Sequence, residues 1–237
     1  MKITSLLLLF FLPFGHQENL NSTAVLQKMY KRYHGKWHKT RSFNQTTEMY
    51  RKDTLFKKQT WYEHILYPDK LRIDFDSLKS GNGIIFRADS TYVISKNKLV
   101  RSIKNENELI FFLGGMYFVP FDQVLDHFKN LHYDLTKFHT DTWKGKSVYV
   151  IGADKADEKV NQLWIDQEKL IAVRFLKYED NTKEEGTMEE AIPLKGGWSE
   201  TLCKFYVNDH VLQIEKYHDV VGGGAVDKSM FEPSMVK

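Results

Sequence analysis

The sequence predicts a mostly β protein with a few helices, an α+β chain built on antiparallel strands. Three observations point there. Leu71, Ile73 and Phe75 alternate with Arg72, Asp74 and Asp76, the period of two expected of a half-buried strand. Gly81-Asn82-Gly83 and Lys96-Asn97 are tight-turn signals between short β-branched and aromatic runs. Nowhere do strands alternate with helices in the manner of a parallel α/β sheet. An aromatic content of 14% suits strands and an apolar interior.

The chain of 237 residues opens with Met1-Lys2-Ile3-Thr4-Ser5 and an unbroken apolar run from Leu6 to Leu12, closed by Pro13 and Gly15. A charged start before a short apolar core is the pattern of a secretory signal peptide, assigned to residues 1–17. The run is too short to span a bilayer. The segment after it, Leu12-Pro13-Phe14-Gly15-His16, has no cysteine to acylate, so the mature protein is expected to be soluble and not lipid-anchored. Residues 18–237 show no repeat, linker or low-complexity tract and are read as one domain.

Helical spacing of Val25, Leu26, Met29, Tyr30 and Tyr33 predicts a first helix over 22–33, capped by Asn21 or Ser22 and ended near Gly35. Strand signals follow at Trp61–Tyr67, Leu71–Phe75, Ile84–Phe86, Tyr92–Ile94 and Leu99–Ile103. Residues 106–113 and 121–131 read as helices, the second with Val124, Leu125, Phe128 and Leu131 on one stripe. Between them, Phe111-Phe112-Leu113-Gly114-Gly115-Met116-Tyr117-Phe118-Val119-Pro120 is very apolar and broken by two glycines. Such a segment is either a mobile lid over an apolar pocket or ordinary core. Strands resume at Val148–Ile151, Gln162–Ile165, Leu170–Tyr178, Trp198–Val207 and Val211–Tyr217.

Composition limits function. A net charge of +3, with acids and bases interspersed, excludes a nucleic-acid stripe. The single Cys203 excludes an internal disulfide and a cysteine-rich zinc site, and reads as a small buried hydrophobe. His127, His132 and His139 stand in no metal-ligand pattern. There is no Gly-x-Ser-x-Gly elbow, and Gly222-Gly223-Gly224 lacks the Lys-Ser/Thr of a phosphate loop. Asp74 and Asp76 are either a carboxylate pair or a solvated face. No enzyme, cofactor or metal is expected.

The order of several short motifs resembles the outer-membrane lipoprotein carrier superfamily (LolA/LolB-like). The residues concerned are Pro68-Asp69-Lys70-Leu71-Arg72-Ile73-Asp74-Phe75, the run from Lys144 to Ala153, Leu163-Trp164-Ile165-Asp166, Leu170–Phe175, and the ending Phe231-Glu232-Pro233. The resemblance covers residues 27–237. It implies an incomplete antiparallel β-barrel wrapped over a few helices, with an apolar concave side that takes acyl chains. It implies a periplasmic carrier of a lipid or acylated lipoprotein, working between a membrane-associated donor and acceptor. Arg72 matches an arginine linked in that family to lid control. The expected lipid-binding and lid residues are therefore Arg72, Phe111, Phe112, Leu113, Met116, Tyr117 and Phe118. The chain departs from the carrier in being longer and in the polar, acidic segment Thr182–Glu190, and Gly196-Gly197-Trp198 adds another turn before a long strand. The alternatives are a non-transporting envelope sensor of the same fold, and a hydrolase of an amphipathic envelope substrate using His127 or Asp74.

Overall fold

The computed structural model describes residues 20–78 and 80–233. The expected signal peptide lies outside the described residues.

Helix α1 (Ser22–Tyr33) begins where the Asn21 side chain accepts the Ala24 amide, 2.8 Å away, and buries Val25, Leu26, Met29 and Tyr33. Six strands follow as a meander: β1 (Thr40–Arg51), β2 (Thr54–Leu66), β3 (Lys70–Phe75), β4 (Gly83–Arg87), β5 (Ser90–Ser95) and β6 (Lys98–Lys104). Then come α2 (Glu108–Phe112), a 3-10 turn (Gly115–Phe118) and α3 (Phe121–Asn130). Strands β7 (Phe138–Trp143), β8 (Lys146–Ile151), β9 (Gln162–Asp166), β10 (Ala172–Glu179) and β11 (Thr182–Glu189) resume the meander. A small hairpin of β12 (Ile192–Leu194) and β13 (Gly197–Ser199) precedes β14 (Leu202–Val207) and β15 (His210–Gly222). A second 3-10 turn, Lys228–Phe231, follows β15.

The strands other than β12 and β13 form one antiparallel sheet of 13 strands in the order β6-β5-β4-β3-β2-β1-β15-β14-β11-β10-β9-β8-β7. It is not closed into a barrel; β6 and β7 are its free edges. The chain's second long strand run is thus inserted next to its first by the β1–β15 pairing, where Gln45 faces Tyr217 and Thr47 faces Glu215. The helices pack on the inner face. Val25, Leu26 and Met29 of α1 and Val124 and Phe128 of α3 join Val148, Val150, Leu163 and Ile165 in one core.

Several elements differ from the sequence reading. The Trp198–Val207 stretch is two strands, because Ser199 and Glu200 turn inward to meet the buried Arg41. The β12–β13 hairpin turns at Gly196, at φ +85°, where a Cβ would sit 1.9 Å from the Lys36 carbonyl oxygen. The acidic segment 182–190 is strand β11; Glu185 bonds Arg174 on the neighbouring β10 at 2.7 Å, so its charge is matched across the ladder. β10 starts at Ala172 because Leu170 adopts φ +54°. The helix expected over 106–113 is the shorter α2, capped by Asn107. Asp74 and Asp76 do not form a pair: Asp76, at φ +63°, has left the strand, and Asp74 is held by Arg72.

Candidate functional site

The parity of β1 to β4 decides which side chains turn inward. Arg41 and Phe43 on β1, Trp61, Glu63 and Ile65 on β2, Leu71 and Ile73 on β3, and Ile84 and Phe86 on β4 share the inner face. Cross-strand pairing aligns Phe43, Glu63, Ile73 and Ile84 in one row. Leu109, Ile110 and Leu113 from α2 close over them, and Phe205, Gln213, Glu215 and Tyr217 complete the far side. The result is a cavity of about 320 Å³ between sheet and helix. This is at the lower end of the roughly 300–1,000 Å³ typical of ligand pockets.

Most of this wall is apolar. Charged groups enter it at one end. Arg41, 2% exposed, sits 2.9 Å from Glu200 and donates to Ser199 Oγ at 3.1 Å. Glu215 accepts from the Tyr217 hydroxyl at 2.9 Å and from the Gln213 amide. Tyr217 in turn stacks on Phe43, with ring centroids 4.2 Å apart. Glu63 is 6% exposed and, among the described residues, has no hydrogen-bond partner. Burial, with Glu215 beside it, raises its carboxyl well above the usual range. Burial also raises Glu215, although the bonds from Tyr217 and Gln213 oppose this.

The residues expected from the sequence lie mostly around this cavity rather than in it. Leu113 lines it. Phe111 lines a second cavity of about 260 Å³ on the other side of α2, together with His127 and Val119. Phe112, 2% exposed, packs against Phe128, Tyr133 and Phe175. Met116 and Tyr117 are buried, and Phe118 stacks on Tyr67 with centroids 5.6 Å apart. The backbone of this segment is pinned as well: Tyr67 donates to the Leu113 carbonyl, His34 to that of Tyr117, and Tyr30 to that of Val119, each at 2.9 Å. Of the two readings of 111–119, the contacts fit core packing.

Arg72 lies on the opposite face of β3 from Leu71 and Ile73. It grips both oxygens of Asp74 at 2.8 Å and donates to the Met230 carbonyl at 2.9 Å, fastening the C-terminal turn to the back of the sheet. Asp74 is committed there to Arg72. Among the described residues, no group of three or more His, Cys, Asp or Glu is placed to hold a metal ion.

The sequence reading missed Arg41, Phe43, Glu63, Gln213, Glu215 and Tyr217. A signal existed for Glu63: it shares parity with Trp61 and Ile65, so a strand there carries a carboxylate on its apolar face.

No protein-family model matches the sequence, and no curated protein matches it. Solved structures do. A DUF1329 family protein from Desulfovibrio piger superposes with a TM-score of 0.61 at 12% identity, covering 91% of this chain and 98% of that one. A domain described as an outer membrane lipoprotein-sorting protein, from Vibrio parahaemolyticus, gives 0.59 at 10% identity, covering 90% and 97%. A LolA superfamily protein from Nitrosomonas europaea gives 0.51 at 9% identity, covering 89% and 97%. The chain has a LolA-like fold. In this LolA-like chain, the cavity between β1–β4, β14–β15 and α2 occupies the inner face of the sheet. No helix among the described residues is long and apolar enough to cross a membrane.

Proposed function

We propose that this chain is a non-enzymatic carrier that holds an acyl chain of a lipid or lipoprotein in the cavity under α2. The observation that carries this is the apolar wall of Trp61, Ile73, Ile84, Phe86 and Leu109 on the inner face of a LolA-like sheet. Each methylene moved from water onto such a wall contributes about 0.8 kcal/mol. Sequestration therefore needs shape, an apolar lining and an entry, with no catalytic group. Export to the periplasm, from the charged and apolar N-terminus, would place the carrier between two membranes.

The test is native mass spectrometry of the purified protein, followed by a transfer assay with radiolabelled lipoprotein. Co-purified lipid and movement of label from inner membrane to an acceptor are the expected results. A protein that neither carries lipid nor takes it up overturns the reading. Lipid binding without transfer would reduce it to a sensor of lipidated envelope proteins.

A further inference from the structure

We propose that Glu63 is the polar anchor of this cavity and that it receives the carbonyl oxygen of an uncharged acyl ester. The ester's hydrocarbon then lies along Trp61, Ile73, Ile84 and Phe86. This inference rests on the acyl-chain reading above and names the group at the chain's head.

The geometry singles out Glu63. Three carboxyls and one guanidinium meet at the polar end of the cavity. Glu200 is paired with Arg41, and Glu215 accepts from Tyr217 and Gln213. Glu63 lines the cavity, is more than nine-tenths buried, and has no hydrogen-bond partner among the described residues. A carboxyl that faces the cavity and is bonded by no side chain there gains a hydrogen bond when a ligand atom meets it.

Charge selects the ligand. The groups facing Glu63 are Arg41 from β1, Glu215 and Tyr217 from β15, and Glu200 beyond β13; α2 faces the cavity with Leu109, Ile110 and Leu113. Burial and the nearby Glu215 favour the protonated form of Glu63, which Arg41 opposes. A protonated carboxyl donates one O–H, and an ester carbonyl accepts it. A carboxylate ligand would add negative charge beside Glu200 and Glu215. An ammonium ligand would sit near Arg41 and would require Glu63 to release its proton.

Calorimetric titration of the full chain at neutral pH with monolaurin, lauric acid and dodecylamine, all of one chain length, tests this. Monolaurin is expected to bind about tenfold more tightly than the other two, the difference of one hydrogen bond. Glu63→Leu should lose about tenfold in monolaurin affinity, whereas Glu63→Gln, which keeps a donor, should stay within about threefold. Equal binding of the three probes, or tighter binding of the acid or the amine, overturns the anchor while leaving the apolar cavity intact. So does a Glu63→Gln loss as large as that of Glu63→Leu. Should Glu63→Leu fail to fold, the three probes and Glu63→Gln still decide. If none of the probes binds, the acyl-chain reading falls together with the anchor.

Discussion

Arg41 Nη1 lies 2.9 Å from Glu200 Oε1, with the two side chains only 2% and 7% exposed. The pair joins β1 to the turn after β13. It also explains why the chain leaves its strand after Ser199. Removing one member strands the other charge in a medium that solvates it poorly. Arg41→Met is therefore expected to cost about 3–5 kcal/mol, and Arg41→Met with Glu200→Leu considerably less. Urea unfolding of the single and double variants checks this; equal losses in both would mean that the ion pair is not what holds this turn.

Glu63 gives a pH dependence of defined sign. Its folded-state carboxyl titrates well above the ordinary 4.5, so the unfolded chain gives up this proton first as pH rises. The contribution of Glu63 to stability is complete below 4.5 and is lost as pH climbs through the folded value. Glu63→Gln should accordingly melt higher than the parent, with a gap that widens from pH 5 upward. Thermal melts across that range report it, and a constant or closing gap would count against a buried neutral acid.

His38 has the opposite sign. Burial, with the Arg41 charge beside it, lowers its ring from 6.5 to about 4. The unfolded chain takes up a proton that the folded chain refuses between these values. Stability from His38 is full above pH 6.5 and falls as pH drops toward about 4. In His38→Asn the loss over that window should be shallower than in the parent. Denaturant midpoints at the two ends of the window measure the difference, and parallel slopes would show that His38 carries none of it.

Phe112 touches Phe128, Tyr133 and Phe175 and is 2% exposed. Phe112→Ala should cost about 3–5 kcal/mol. Phe112→Asp should abolish the cooperative fold instead of merely loosening a gate. Retention of a native circular dichroism spectrum and melting transition by Phe112→Asp would restore the lid reading of residues 111–119.

The sheet was legible where strands alternate and turns are marked. Leu71–Phe75, Gly81–Gly83 and Lys96-Asn97 fall where expected because pleat parity and tight turns are local properties. β1 and β11 were not read as strands. Their sequences, TRSFNQTTEMYR and TKEEGTME, are polar because charge and hydroxyl groups find partners across the ladder, information that resides in other strands. The cavity's polar end was hidden for the same reason. Arg41, Glu63, Glu200 and Glu215 come from four separate stretches, and only the β1–β15 pairing assembles them. Arg72 was conspicuous in the sequence, yet which face of β3 would look inward depends on where the helices pack.

The unclosed sheet leaves β6 with a row of unpaired main-chain groups, on a strand whose Leu99 and Val100 are 44% and 59% exposed. Such a seam invites a second molecule to stitch itself on. The residues of β6 answer this with cations at Lys98, Arg101 and Lys104. If two copies met edge to edge in symmetric antiparallel register, Lys98 would oppose Lys104 and Arg101 would oppose itself, so like charges would face each other at both ends and at the centre. The gap that keeps the barrel open thus carries its own deterrent to fibre-like stacking.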